Sequence, residues 1–130
     1  PEGDFFREGC RIIFTTKRSG EGQIRELSQH AQLWVCGESR VDLKEALHIL
    51  HEQGIKTLMV EGGGELIFSL LKEDLVDEIN LKIGNLILGG RDAPTLCDGE
   101  GFITGKQATL VNLTQKENYL TLRYRLTRTG

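Results

Sequence analysis

Three adjacent glycines, Gly62, Gly63 and Gly64, separate an apolar run from a segment with helical spacing, and the carboxylate of Glu61 comes directly before them. Because glycine has no Cβ, its backbone can approach a phosphate closely. A helix N-terminus adds free N–H groups and a partial positive charge, so the turn is suited to an anion. The alternative is a tight strand-to-helix turn that binds nothing, with Glu65 complementing the helix dipole.

These glycines match neither of the two common phosphate fingerprints. They do not spell G-x-G-x-x-G, and no Gly-Lys-Ser/Thr sequence follows them. The motif alone therefore does not decide between a ligand and a plain turn.

A second group of residues suited to an anion follows an earlier strand-like run. It consists of two charged side chains and three hydroxyls in succession: Thr15, Thr16, Lys17, Arg18 and Ser19. A phosphate bound there could accept several charge-assisted hydrogen bonds. A solvated surface loop is the alternative. Two anion-binding turns at one edge of a sheet would suit a dinucleotide with a pyrophosphate and a separate 2′-phosphate, which is NADPH rather than NADH.

The first half of the chain predicts short alternating strands and helices. Asp42 and Glu45 have capping-box spacing, apolar residues repeat at helical intervals from Leu43 to Leu50, and Gly54 stands at the expected C′ position. We expect a helix there. The other elements predicted in this half are a strand over Arg11–Thr16, a short helix over Gln23–Gln29 and a strand over Leu33–Cys36.

The second half continues this order and then changes. Its predicted elements are a central strand buried on both faces over Thr57–Glu61, a helix over Glu65–Leu71, a strand within Leu75–Ile83 and an antiparallel hairpin of Ala108–Glu117 and Tyr119–Thr127 that turns at Asn118. We therefore predict an α/β fold: a mixed sheet, mostly parallel, with a C-terminal antiparallel hairpin and flanking helices.

Composition limits the classes of function. The chain has 130 residues and a net charge of −3, which fits one domain and argues against nucleic acid as a partner. Its three cysteines, Cys10, Cys36 and Cys97, form no C-x-x-C pair, so we expect a reducing cytoplasm. No apolar run approaches the roughly 18 residues of a membrane span.

Other groupings of polar residues have simpler explanations. His48 and His51 share a helix face near Glu45 and Glu52, which is typical of the wet side of an amphipathic helix, so we expect no metal. Asp74, Asp77 and Glu78 fit caps and solvated charges. Cys97 lacks a neighbouring base that would activate it.

The series IIFTT with KRSG, LMVEGGGELIFSLL, LVDEINLKI and LILGGRDAPTLCDGEGF resembles the reductase domain of riboflavin biosynthesis, and more broadly dihydrofolate reductase. The resemblance implies a dihydrofolate-reductase-like fold, a homodimer and NADPH as cofactor. It also implies a pyrimidine ribosyl phosphate substrate, whose ribosylamino group is reduced to ribitylamino. A reductase of another pteridine-like substrate and a noncatalytic nucleotide-binding or dimerisation module remain as alternatives.

The resemblance also assigns site residues. Gly62, Gly63 and Gly64 would meet the pyrophosphate, with a cis peptide between Gly62 and Gly63, and Glu65 and Leu66 would also bind the cofactor. Residues 15–18 would hold the 2′-phosphate. Glu61 would act near the chemistry as a proton source, its alternative being a structural carboxylate bonded to nearby amides. Such reductases open with a strand and loop of the type N-x-A-x-S-x-D-G. Nothing before Arg11 matches that motif, so we expect one reductase domain lacking that segment.

Overall fold

The computed structural model describes residues 9–127 and divides the chain into two compact units, which meet in the sequence between Leu58 and Met59. Each unit is described by itself. The expectation about the opening motif concerns the residues before Arg11, of which those before Gly9 lie outside the described part of the chain.

The first unit contains two parallel strands and two helices. Strand β1 (Ile12–Thr15) pairs with β2 (Gln32–Val35) in a register that runs from Ile12 opposite Gln32 to Thr15 opposite Val35. Helix α1 (Glu21–Ser28) connects them, and α2 (Leu43–Glu52) follows. The four elements predicted in this half are confirmed, with ends that differ by one or two residues.

Helix α2 begins and ends where its own residues dictate. The Asp42 carboxylate accepts a hydrogen bond of 3.0 Å from the backbone N–H of Glu45, which satisfies one of the donors that every helix start leaves free. Gly54 follows the last turn with a φ of 86°, a conformation in which a side chain is strained. Ala46 of this helix and Cys36 after β2 are buried.

The second unit joins one helix to an antiparallel sheet. Helix α3 (Gly64–Lys72) is followed by β3 (Glu78–Ile83), β4 (Ala108–Lys116) and β5 (Tyr119–Leu126), and the strand order is β3-β5-β4. Phe68, Leu70 and Leu71 of α3 are buried. The helix predicted over Glu65–Leu71 is therefore confirmed as α3, with one more residue at each end.

The C-terminal hairpin is also confirmed. Lys116 lies opposite Tyr119, so Glu117 and Asn118 alone make the turn, and Glu117 has a φ of 40°. Val111 is an extra residue in β4, because the pairing changes from Leu110 opposite Tyr124 to Asn112 opposite Arg123.

One face of this sheet is apolar and the other is polar. Directly opposite residues share a face, so the apolar face carries aligned side chains from all three strands. One row is Leu81, Leu122 and Leu113, and the next is Ile79, Tyr124 and Leu110. On edge strand β4, Leu110 and Leu113 are 46% and 54% exposed. The described part of the unit therefore leaves the β4 side of this face uncovered.

The prediction of a central strand over Thr57–Glu61 is wrong for the described chain. These residues form no strand, and Met59 is 80% exposed. An apolar run becomes a strand only when its backbone groups pair with a neighbour, and no strand within residues 9–127 pairs with this one.

Pairing within residues 9–127 is more antiparallel than predicted. The strands form one parallel pair and two antiparallel pairs, in two separate sheets. The difference arises because β3 pairs with β5 of the hairpin, and because the expected central strand is absent.

Candidate functional site

The start of α3 presents free backbone donors. Gly63 is the N-cap, and its carbonyl accepts hydrogen bonds of 3.1 Å from the N–H groups of Leu66 and Ile67. Within the described chain, the N–H groups of Gly64 and Glu65 have no backbone acceptor. They are the donors that a helix N-terminus offers to an anion.

The peptide bonds of the glycine turn are trans, and Gly63 is extended. No peptide bond within residues 9–127 is cis, so the expected cis bond between Gly62 and Gly63 is wrong. Gly63 has φ −53° and ψ 153°, which is a conformation open to any residue. The turn is therefore made without a left-handed residue.

The three glycines differ in their surroundings. A Cβ on Gly63 would meet no atom within 4 Å, whereas one on Gly62 would lie 3.3 Å from side-chain atoms of Val60 and Leu66. A Cβ on Gly64 would overlap the carboxylate of Asp98. Open space at Gly63 beside free N–H groups fits a phosphate, so the described turn is compatible with the pyrophosphate of a dinucleotide.

Asp98 is a residue at this turn that the sequence interpretation missed. Its Oδ1 accepts hydrogen bonds from the Thr95 hydroxyl at 2.5 Å and from the Thr95 backbone N–H at 3.2 Å. The pKa of the neighbouring Cys97 thiol is raised, first by burial and second by the Asp98 charge. A local signal was present, since Thr95 and Asp98 have the spacing of a capping pair.

Residues 95–106, here called the strap, run along α3. A Cβ on Gly99 would lie 2.5 Å from the Phe68 ring, and the Phe68 and Phe102 ring centroids are 4.8 Å apart. Two ion pairs follow at the far end of the helix. Lys72 pairs with Glu100, and Lys106 with Asp74 at 2.6 Å.

Glu61 lies just before the glycine turn. It is exposed, and it accepts no hydrogen bond from any residue between 9 and 127. Glu65 and Leu66 of the first helical turn are also exposed. These side chains are therefore open to solvent at the same end of α3 as the free N–H groups.

The group predicted to bind the 2′-phosphate follows β1 in the first unit. Backbone bonds hold it in place, since Cys36 donates to the Thr15 carbonyl at 2.8 Å and Lys17 donates to the Gly37 carbonyl at 3.2 Å. The Thr15 and Ser19 hydroxyls are 2.5 Å apart, and Thr16 is half-buried. The loop is thus anchored to the residues that follow β2.

The two cations of this group differ. Lys17 forms an exposed ion pair with Glu38 at 2.5 Å, and the hydrogen bond and charge of Glu38 raise the pKa of the Lys17 amine. Arg18 is exposed and forms no ion pair with another described residue. A phosphate would find Arg18 available and would compete with Glu38 for Lys17.

The remaining polar groups have structural roles or lie at the surface. His48 and His51 are exposed on α2, with His51 Nδ1 3.9 Å from Glu52 Oε1. Glu78 pairs with Arg125 at 3.1 Å. Within residues 9–127, no group of three or more His, Cys, Asp or Glu residues could hold a metal ion. No helix in that range is both long and apolar enough to cross a membrane.

Comparison with known proteins identifies the family. The family described as the RibD C-terminal domain matches residues 2–122. This chain belongs to it. The dihydrofolate-reductase-like α/β fold is confirmed by a pyrimidine reductase-like protein from Corynebacterium diphtheriae, which has a TM-score of 0.74 and 21% identity over 91% of this chain and 50% of its own.

Two curated relatives are named "2,5-diamino-6-ribosylamino-4(3H)-pyrimidinone 5′-phosphate reductase". The protein from Archaeoglobus fulgidus is 45% identical over 96 residues, which are 74% of this chain and 44% of that protein. The protein from Methanothermobacter thermautotrophicus is 40% identical over 112 residues, which are 86% of this chain and 51% of that protein. The chain thus spans about half the length of these relatives.

Proposed function

We propose that this chain carries the cofactor-binding part of an NADPH-dependent reductase of riboflavin biosynthesis. Its substrate would be a pyrimidine that carries a 5-phosphoribosylamino group, which the enzyme converts to ribitylamino. The observation that carries the proposal is the glycine turn with free N–H groups at Gly64 and Glu65, in a chain 45% identical to a protein named as such a reductase.

The glycine turn would hold the pyrophosphate by its backbone. Gly63 leaves open space for a phosphate oxygen, and the adjacent N–H groups point along the helix axis with the positive end of the helix dipole. Glu65 and Leu66 would flank the bound phosphates in the first helical turn. NADPH, when bound, would supply the hydride that adds to the electrophilic carbon of the substrate's sugar.

Discrimination between NADPH and NADH would rest on the loop after β1. Thr15 and Thr16 offer hydroxyl donors, and Lys17 and Arg18 offer two cations. A 2′-phosphate carries more charge than a 2′-hydroxyl, so it would gain charge-assisted hydrogen bonds here that NADH cannot make.

Glu61 would manage the proton that accompanies hydride transfer. In the ring-opened form of the substrate the C1′–O bond is broken, the amino proton has moved to the ring oxygen, and C1′ is joined to the nitrogen by a C=N bond. When that carbon accepts the hydride, the nitrogen accepts a proton and ends as an amine. An exposed carboxylate that is not bonded to neighbouring amides can hold or relay that proton and can also accept a hydrogen bond from the substrate. We assign no metal to this chemistry.

We also propose that the protein is a homodimer in the cytoplasm, and that a strand and substrate loop outside these 130 residues complete the reductase. The three cysteines are free, as a reducing compartment would keep them. Edge strand β4, with Leu110 and Leu113 exposed, is the surface that favours pairing of two copies. The coverage of about half of each curated relative supports the further segment.

The dimer can be tested at β4. Leu113→Lys would place a charge on the apolar face and should convert the dimer to a monomer in light scattering after size exclusion. Thr109→Lys adds the same charge on the polar face, opposite Arg125, and should leave the dimer intact. A wild-type monomer at all concentrations would refute the dimer.

The function is tested on the natural full-length protein by stoichiometric NADPH oxidation with the ribosylaminopyrimidine phosphate, using wild type and Gly63→Val. The added Cβ meets no atom within 4 Å, and valine can adopt the dihedral angles of Gly63, so the change should cost only about 1 kcal/mol of stability as a poorer N-cap. It would, however, fill the space assigned to the phosphate. Gly105→Val, whose Cβ also meets no atom within 4 Å, is the matched control.

Four outcomes are informative. Turnover in wild type and Gly105→Val, with loss of NADPH binding in Gly63→Val, supports the proposal. Retained turnover in Gly63→Val contradicts the pyrophosphate assignment. If the natural full-length protein binds NADPH without oxidising it, the chain belongs to a binding module. If it oxidises NADPH only with a different pteridine-like compound, the assigned substrate is wrong and that compound replaces it.

A further inference from the structure

We propose that Asp98 is an internal competitor of the cofactor's pyrophosphate, and that its carboxylate weakens pyrophosphate binding and turns away from the start of α3 when the pyrophosphate binds. This inference rests on the proposed function, because it concerns the same glycine turn. It adds a residue from a distant part of the sequence that controls how tightly the turn holds an anion.

The position of the carboxylate carries the first step. Asp98 occupies the space that a Cβ on Gly64 would fill. Since the Cα–Cβ bonds of a helix tilt toward its N-terminus, that space lies toward the end of α3 that carries the free N–H groups. A phosphate there and the Asp98 carboxylate would occupy neighbouring or overlapping volumes.

The hydrogen bonds of Asp98 do not tie its carboxylate to α3, so a bound anion can displace it from the start of the helix. Its Oδ1 is held by Thr95, from the same loop, whereas its Oδ2, which lies nearest to Gly64, accepts no hydrogen bond from the described chain. In particular, neither of the free N–H groups of α3 donates to it. Moving the carboxylate away from the helix would therefore break no hydrogen bond with α3.

The strap explains how Asp98 can move without loss of the fold. Phe102 packs on Phe68, and Glu100 and Lys106 pair with residues at the far end of α3. These contacts all lie after Asp98 in the sequence. Rotation of the Asp98 side chain therefore suffices, and the strap stays attached to the helix.

The negative charge of Asp98 determines how it affects the affinity for pyrophosphate. Asp98 gains from the positive end of the helix dipole, and a pyrophosphate would both take over that interaction and repel the carboxylate. Wild-type affinity should accordingly be lower than that of a variant without the charge. The effect should weaken as salt screens it.

The test measures dissociation constants of NADPH and of inorganic pyrophosphate by titration calorimetry. At low salt, Asp98→Asn should bind both roughly threefold to tenfold more tightly than wild type. Asp98→Glu, which keeps the charge, should match wild type. The gain should largely vanish near 1 M salt, where the Debye length is about 3 Å.

Two further variants serve as a charge control and as a second test of Asp98. Asp92→Asn removes an equal charge from the same connection before the strap and should leave both dissociation constants unchanged. Asp98→Ala removes charge and oxygens together and should show the same gain as Asp98→Asn, so it carries the test if the asparagine variant fails to melt cooperatively.

The outcomes separate this inference from the function on which it rests. Binding by wild type with no gain in Asp98→Asn, or an equal gain in Asp92→Asn, overturns the role of Asp98 alone. A lowered melting temperature without tighter binding would make Asp98 a purely structural partner of the helix and also overturns it. Absence of binding by wild type and every variant refutes the proposed function and this inference together.

Discussion

Replacement of Gly99 by alanine should destabilise the second unit, because the strap and α3 touch at this residue. A Cβ on Gly99 would lie 2.5 Å from two atoms of the Phe68 ring and 2.8 Å from a third. Phe68 is only 8% exposed, and its ring also packs on Phe102. The ring therefore has little room to retreat, and either it or the strap must shift.

Two opposing terms set the magnitude. Overpacking a methyl group into a close-packed site costs about 1–3 kcal/mol. Replacing glycine with alanine where φ is not positive stabilises by about 0.4–1 kcal/mol, since it lowers the entropy of the unfolded chain, and Gly99 is not among the glycines with positive φ. We expect a net loss of about 1–2 kcal/mol in the free energy of unfolding.

The assay is urea unfolding followed by far-ultraviolet circular dichroism, with amide hydrogen exchange of the α3 peptide as a local measure. Gly105→Ala is the matched control, because it lies in the same strap, has no atom within 4 Å of the added Cβ and does not require a positive φ. That variant should be neutral or slightly stabilised.

A double-mutant cycle with Phe68→Leu isolates the contact. Removing the ring should reduce the cost of Gly99→Ala by about 1 kcal/mol or more, since residues in direct contact are coupled. The reasoning is refuted if Gly99→Ala is as stable as Gly105→Ala, or if its cost is the same with leucine at residue 68.

Three further predictions concern local features. Asp42→Ala should lower the free energy of unfolding by about 1 kcal/mol, because the N-cap bond to Glu45 is lost, while Asp42→Asn should lose little; equal melting temperatures for the two variants would contradict the cap. Glu117→Gly should raise the melting temperature, because a left-handed residue other than glycine costs about 1 kcal/mol or more; a lower melting temperature would show that the turn does not carry that strain. Burial raises the pKa of the Cys36 thiol, so at alkaline pH the folded chain keeps a proton that the unfolded chain loses. The free energy of unfolding should therefore fall as the pH rises above the pKa of a free thiol, which is about 8.5. Cys36→Ser should have a flatter pH profile in that range, and an unchanged slope would rule out Cys36 as the cause.

Features encoded by neighbouring residues could be predicted from the sequence. The cap, apolar stripe and C′ glycine of α2 lie within a dozen or so residues of each other, and all act locally. The hairpin is equally local, because alternation and a two-residue turn fix its register. Both predictions are confirmed for this reason.

Features that depend on distant partners could not be predicted in the same way. The apolar run Thr57–Glu61 has the composition of a buried strand, yet composition does not supply the neighbouring backbone that a strand requires. The contact between Gly64 and Asp98 joins residues far apart in the sequence, so neither segment signals the other. The roles assigned to the glycine turn and to residues 15–18 remain predictions.

The division at Leu58 and Met59 gives each unit its own intrinsic fluorophore. Trp34 is the one tryptophan of the chain and lies in the first unit, whereas both tyrosines, Tyr119 and Tyr124, lie on β5 of the second. Emission from the indole and absorbance of the phenols can therefore be recorded in a single titration. Coincident midpoints would mean that the two units melt as one cooperative body, and separate midpoints would give each unit its own stability.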